Sequence, residues 1–228
     1  MPIPDSSERV VQVPIGAALL DGNLSLPREV GGVVLFAHGS GSSRHSPRNR
    51  FVARSLQEVG LATLLLDLLT RQEEAVDVQT AQLRFDIQLL ADRLVGATRW
   101  LMQQRETADH RIGYFGASTG AAAALVAAAH LPDAVTAVVS RGGRPDLAGP
   151  ALPLVRCPTL LVVGGEDTVV IRLNREAFRQ LGIADKQLAI VPGASHLFEE
   201  PGALEAVARL AGDWFGRYLR GPAGVRVT

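Results

Sequence analysis

Several things are scarce in this sequence, and each scarcity excludes something. Among 228 residues there is one cysteine, Cys157, so no internal disulfide can form. It stands before Pro158 at the start of an apolar run, the setting of a small buried side chain rather than a reactive thiol. Lysine occurs once, at Lys186, and all other basic residues are arginines. Lys+Arg and Asp+Glu both total 23, giving a formal net charge of zero. That balance argues against a nucleic-acid groove and against a polybasic membrane anchor. No apolar run approaches the roughly 20 residues that cross a bilayer. Met1 to Glu8 has neither a basic start nor an apolar core, so no signal peptide is expected and the default location is cytoplasmic. There is no Gly-Lys-Ser/Thr phosphate loop and no paired histidine or cysteine at metal-binding spacing. No cofactor and no metal are therefore expected.

What is present suits one domain spanning residues 1–228, with loose tails at 1–8 and 221–228. Residues 8–26 carry apolar positions interrupted by Asp21-Gly22-Asn23, which reads as two antiparallel edge strands with a turn at 21–23. Beyond residue 33, short apolar runs alternate with helical patterns. Strands are expected at 33–37, 61–66, 112–115, 135–139, 159–163 and 187–191. Helices are expected at about 48–59, 84–104, 171–181 and 202–219. The stretch 68–83 is polar and shows no clear period, so it reads as a long connection. Alternating strands and helices specify an α/β fold with a mostly parallel sheet and helices on both faces.

The chain is organised around residues 111–129. A buried strand, Ile112-Gly113-Tyr114-Phe115, runs into Gly116-Ala117-Ser118-Thr119-Gly120 and then into an alanine-rich helix. Strand, Gly-x-Ser-x-Gly, helix is the layout of a nucleophile elbow. The tight turn needs small neighbours, strains the serine backbone and lifts its hydroxyl clear of the sheet, at a helix N-terminus that favours negative charge. The plainer reading is a glycine-rich turn capped by Ser118.

A serine hydroxyl needs a base, and the base needs an orienting acid. Of five histidines, His110 and His130 fall at the wrong end of the sheet. His38 and His45 belong to the first glycine-rich loop, and His196 follows the last strand. His196 is the expected base. The acid should lie between serine and histidine after a strand; Asp167 fits, with Glu166 as the alternative. Oxyanion donors are expected from the Thr119 N–H and from the loop His38-Gly39-Ser40-Gly41, with Ser40 first and Gly41 second. Gly39-Ser40-Gly41 with Asp67 also makes half of a dinucleotide fingerprint, but Arg44 stands where the third glycine belongs.

Four motifs together carry a family resemblance: the His-Gly loop at 38–41, the elbow at 116–120, Gly164-Gly165-Glu166-Asp167, and Gly193-Ala194-Ser195-His196-Leu197-Phe198. The chain resembles the dienelactone hydrolase-like α/β-hydrolases over roughly residues 10–219. The resemblance implies an eight-stranded sheet, no large cap domain, and hydrolysis of small esters or lactones through an acyl-enzyme. Dienelactone hydrolases proper use a cysteine nucleophile where this chain has Ser118. That departure favours a general carboxylesterase. Thioesters or organophosphates are alternative substrates, and a non-catalytic binding protein on the same fold is the alternative function. The expected partner is a small-molecule ester or lactone, with no nucleic acid and no membrane. No oligomeric state follows from the sequence.

Gly39, Arg141 and Arg144 are expected around the substrate. One of Arg141, Arg144, Arg44 and Arg48 would bind a substrate carboxylate, since a guanidinium matches a carboxylate in two-pronged fashion. The competing role for these arginines is to fix loops through ion pairs with Asp146, Asp67 or the acidic connection.

Overall fold

In a computed structural model, residues 7–220 are described. Strands β1 (Ser7–Ile15) and β2 (Ala18–Leu26) form an antiparallel hairpin at one edge. β3 (Val33–Ala37) is followed by α1 (Pro47–Glu58) and β4 (Ala62–Leu66). α2 (Arg71–Thr80), a 3₁₀ turn at Leu83–Phe85 and α3 (Ile87–Leu101) come next. β5 (Ile112–Ala117) leads into α4 (Thr119–His130), and β6 (Val135–Arg141) into a 3₁₀ segment, Pro145–Leu154. β7 (Thr159–Gly164), α5 (Thr168–Gln180), β8 (Lys186–Val191) and α6 (Ala203–Leu219) complete the order.

The eight strands make one sheet in the order β1-β2-β4-β3-β5-β6-β7-β8. β2 pairs antiparallel with β4; from β4 to β8 every pairing is parallel. The parallel strands are apolar on both faces because both faces are covered. β3 shows this residue by residue. Val33, Leu35 and Ala37 pack in a cluster with α3 and α4, while Val34 and Phe36 pack in the other with α1 and α6. Alanine fills α4, whose residues 119–128 are all buried; small side chains let this helix lie close to the sheet.

Three expectations differ from the structure. The edge hairpin turns at Gly16 and Ala17, between paired Ile15 and Ala18, with Gly16 at φ +58. A two-residue turn with a leading glycine matches the twist of the flanking strands. Asp21, Gly22 and Asn23 instead continue β2, paired with Gln12, Val11 and Val10. The stretch 68–83 is not a loop but contains α2. Thr70 and Glu73 form a reciprocal capping box at its start, and buried Asp77 accepts hydrogen bonds from the Leu83 and Arg84 N–H groups and from Arg84 Nε. End caps and one buried ion pair hold this helix, which therefore lacks an apolar stripe. Of the tails expected at 1–8 and 221–228, residues 1–6 and 221–228 lie outside the described residues, while Ser7 and Glu8 pair with Leu26 and Ser25 in β1.

Candidate active site

The carboxyl ends of β3, β5, β6, β7 and β8 carry the loops that matter. Ser118 sits between β5 and α4 at φ 51, ψ −121, a conformation that L-residues avoid. Such a strained residue costs on the order of 1–3 kcal/mol, and its surroundings must enforce it. The flanking glycines show how. A Cβ on Gly120 would lie 2.3 Å from the Ala37 carbonyl oxygen, and one on Gly116 would lie 2.4 Å from Ala121 Cα. The start of α4 is thus pressed against the end of β3 and against its own strand, and only glycine fits at either position. Ser118 N–H donates to the Arg141 carbonyl at 3.3 Å, and Arg144 N–H donates to the Ser118 carbonyl at 3.0 Å. Ser118 as a residue is left half-buried at the head of the helix.

Asp167 and His196 come from the two strands beyond. Asp167 caps α5, its Oδ1 accepting from Val170 N–H at 3.3 Å. Its other oxygen, Oδ2, meets His196 Nδ1 at 2.6 Å. That contact leaves Nε2 as the ring nitrogen available to a further partner. The loop holding His196 is pinned from behind. Glu200 accepts from Ser195 N–H at 2.9 Å, and buried Phe198 is held at φ 57. Glu166 is exposed, with its N–H bonded to the Ala194 carbonyl. Ser118 and His196 line one cavity of about 200 Å³, shared with Gly39, Ser40, Arg141 and Arg48. Among the described residues no hydrogen bond joins Ser118 Oγ to His196.

The 38–43 loop closes the near side. Buried His38 accepts from Leu68 N–H through Nε2 at 3.1 Å, so its proton lies on Nδ1, which donates to the Gly39 carbonyl at 2.9 Å. Burial, above all, holds its pKa below the usual histidine value. His38 is thus a neutral loop fastener. Ser40 N–H donates to Thr119 Oγ1 at 3.0 Å. Gly41 is exposed, and a Cβ there would lie 3.6 Å from Arg84 Nη1, away from Ser118. Among the described residues, no acceptor meets the Thr119 N–H. A second, larger cavity of about 530 Å³ lies behind this loop beside Gln12, Asp21, Asp67 and Arg71; it contains none of Ser118, Asp167 and His196.

The arginines divide. Arg44 is spent on Asp67, through its N–H at 2.7 Å and through a close guanidinium contact; its Nε reaches Asn23 at 3.0 Å. This clamp accounts for Asp67 and for the arginine in the half-fingerprint. Arg144 grips Asp146 with two hydrogen bonds of 2.9 and 2.8 Å. Arg141 is different. It is 7% exposed, has no carboxylate partner among the described residues, and extends one nitrogen toward Asn49 Oδ1 at 3.4 Å. Burial and then the nearby Arg48 charge bring its pKa down to about 10. Asn49 and Glu199 also belong to this neighbourhood, and neither carries a signal in the sequence.

Among the described residues no group of histidine, cysteine and carboxylate side chains could hold a metal ion, and no helix is long and apolar enough to cross a membrane. Cys157 is buried, and burial pushes its thiol up to about 12.

An eight-stranded, mostly parallel sheet in this order, with a strained serine between its central strand and the following helix, defines an α/β-hydrolase fold. More narrowly, the chain belongs to the dienelactone hydrolase family, whose model matches residues 20–218. A crystal structure of dienelactone hydrolase from Anabaena variabilis is 62% identical, with a TM-score of 0.92 over 94% of this chain and 99% of that one. A Mycobacterium tuberculosis protein provisionally named a phosphoribosyl transferase is 57% identical over 220 residues, which are 96% of this chain and 48% of that protein. This chain thus spans about half the length of that curated relative. A dienelactone hydrolase-like promiscuous phosphotriesterase from metagenomic libraries shares the fold at 20% identity, with a TM-score of 0.76 over 95% of this chain and 99% of that one.

Proposed function

We propose that this chain is a serine hydrolase of small carboxylic esters or lactones, with residues 7–220 acting as one domain, in the cytoplasm. The observation that carries the reading is the 2.6 Å contact between Asp167 and His196 Nδ1, opening onto the cavity that Ser118 lines. Family membership supports hydrolysis as the reaction class.

In this mechanism Ser118 Oγ attacks the acyl carbon while its proton passes to His196 Nε2. Asp167 holds the other ring proton on Nδ1, fixing the tautomer, and stabilises the imidazolium that forms. Negative charge develops on the former carbonyl oxygen. The Thr119 N–H, unpaired at the head of α4, is one donor to it. The second comes from the 39–41 loop. Ser40 serves when the Thr119 hydroxyl releases its N–H; Gly41 serves only if the loop turns. Each such donor lowers the barrier by about 2.7–4 kcal/mol. His196 then returns the proton to the leaving alkoxide. A water, deprotonated by the same imidazole, attacks the acyl carbon and frees Ser118. Gly39 gives the substrate room beside Ser118, since a Cβ there would sit 3.0 Å from Ser118 Cβ. The mechanism uses no cofactor or metal.

The missing Ser118–His196 hydrogen bond favours a second reading, a ligand-binding protein on a hydrolase fold. Catalytic hydrogen bonds are often long in ligand-free enzymes and tighten with substrate. Hydrolysis of 4-nitrophenyl acetate and butyrate by wild type and by Ser118→Ala separates the two. The hydrolase reading expects a loss of at least about 10³-fold in kcat. Equal rates from both proteins favour the binding reading. Thioester and phosphotriester substrates in the same panel test the other ester classes, the latter suggested by the metagenomic phosphotriesterase.

A further inference from the structure

Asparagine is a weak helix former, and burying its amide costs free energy unless the amide finds partners. Asn174 nevertheless stands in the middle of α5, fully buried, on a helix whose exposed face carries Arg172, Arg175, Glu176 and Arg179. Its Nδ2 donates to the Val170 carbonyl, one turn back, at 2.8 Å. It also donates to the Gly143 carbonyl at 3.0 Å. The first bond is local. The second crosses from α5 to the loop after β6. Asn174 Oδ1 is buried without a hydrogen-bond partner among the described residues. Half of this amide is thus left unsatisfied while the other half stays on Gly143, a costly arrangement that calls for a use.

Gly143 sits where three parts of the site converge. A Cβ on it would lie 2.0 Å from Ser140 Oγ and 2.6 Å from Ala121 Cβ, so the loop is pressed against the first turn of α4. Gly142, the residue before it, has φ +50 and donates its N–H to the Val162 carbonyl at 2.8 Å. A Cβ on Gly142 would lie 3.1 Å from the His196 carbonyl oxygen and 3.6 Å from His196 Cε1. Arg144, the residue after it, donates its N–H to the Ser118 carbonyl at 3.0 Å. At the other end of the Asn174 bond, α5 begins at Asp167, which caps it at Val170 N–H and holds His196 Nδ1. One hydrogen bond therefore ties the helix of the acid to a loop that touches both the nucleophile and the base.

We propose that Asn174 is a positioning residue whose bond to Gly143 sets the separation between the Ser118 hydroxyl and the His196 imidazole. It touches neither the substrate nor the reacting atoms. Without that bond, the Gly143 carbonyl is left buried and unpaired, and residues 142–144 shift to find another donor. The Ser118 carbonyl and the edge of the His196 ring then lose a fixed neighbour, while the contact between Asp167 and His196 stays. Nucleophile and base separate as two units, one on the elbow and one on α5 with the histidine loop. A misplacement of about 1 Å, caused far from the chemistry, is enough to slow an enzyme about 10²-fold. The kinetic part of this inference rests on the serine-hydrolase reading; the geometric part does not.

Asn174→Leu removes both donors at nearly constant volume. In protein that circular dichroism shows to be folded, kcat for 4-nitrophenyl butyrate should fall about 10- to 100-fold, with KM within about twofold of wild type. Asn174→Asp keeps the shape and serves should Asn174→Leu not fold. Its carboxyl, whose pKa burial raises, donates one hydrogen bond while protonated and none once ionised. Its kcat should therefore drop as pH rises through that pKa, where wild-type kcat rises or stays level as His196 loses its proton. A role confined to stability would lower the urea midpoint and leave kcat of the folded protein, and its pH profile, as in wild type; that result would overturn the proposal. So would a loss carried by KM alone. Crystal structures of wild type and Asn174→Leu, or Asn174→Asp above its carboxyl pKa, read the geometry without turnover: the distance from Ser118 Oγ to His196 Nε2 should differ between the two proteins by about 1 Å. An unchanged distance would contradict the assignment. Absence of hydrolysis by wild type would count against the serine-hydrolase reading alone, since the crystallographic comparison still tests the role of Asn174.

Discussion

Asp167 does two jobs with two oxygens, and Asp167→Asn pulls them apart. Oδ1 caps α5 at Val170 N–H, 3.3 Å away, and Oδ2 faces His196 Nδ1 at 2.6 Å. Asparagine has one carbonyl oxygen for both positions. With that oxygen on the cap, the amide NH₂ faces Nδ1 and forces the ring proton onto Nε2, where it cannot accept from Ser118. With the oxygen on the ring, the cap is lost and the imidazolium loses its counter-charge. Either way the base fails. A carboxylate replaced this way in a serine triad lowers kcat about 10⁴-fold. The stability cost is bounded by the cap, about 1 kcal/mol. Asp167→Ala removes both contacts and should show a similar kinetic loss together with that destabilisation. Ester hydrolysis gives kcat, and urea unfolding gives stability. Asp167→Asn retaining kcat within about tenfold of wild type would refute the role assigned to the contact, whatever its stability.

Two further outcomes follow from buried groups. His38 is held neutral by burial, so below its ordinary pKa of about 6.5 the unfolded chain takes up a proton that the folded chain resists. Stability should then fall as pH drops through that value, by up to about 1.4 kcal/mol per pH unit from this group. Denaturant unfolding at pH 7.5 and 5.5 should show a smaller fall in His38→Gln, and parallel losses in the two proteins would contradict the assignment. Cys157, buried with its thiol pushed up to about 12, exposes little thiolate near neutral pH. Iodoacetamide at pH 8 should leave it unmodified in the native protein and alkylate it in urea, and Cys157→Ser should keep ester hydrolysis. Rapid native alkylation with loss of activity would return the thiol to consideration as a nucleophile.

The sequence displays most of this fold because the parallel strands are buried on both faces. Runs such as Val33–Ala37 and Thr159–Gly164 therefore stand out as unbroken apolar stretches bounded by polar loops. The chain order of serine, acid and histidine pointed to three residues that the fold brings to one end of the sheet. What stayed hidden depends on individual side-chain contacts. α2 is defined by a capping box and by Asp77, so it has no period to detect. The hairpin turn is not legible because Asp21-Gly22-Asn23 has turn chemistry while serving as strand; a Cβ on Gly22 would lie 3.0 Å from Leu64 Cδ1. The four candidate arginines look alike in one dimension. Only their partners separate the clamps at Arg44 and Arg144 from buried Arg141. The tie between Ser40 N–H and Thr119 Oγ1 joins residues 79 positions apart and has no linear signature.

The most direct test of the account is to catch the acyl group on Ser118. The protein is mixed with 4-nitrophenyl pivalate, whose hindered acyl group leaves slowly, quenched in acid, digested and examined by mass spectrometry. An acyl-enzyme at Ser118 predicts one pivaloyl adduct on the peptide containing Ser118, formed in step with nitrophenol release and absent from Ser118→Ala. Turnover with Ser118 unmodified, or an adduct on Cys157 instead, would contradict it.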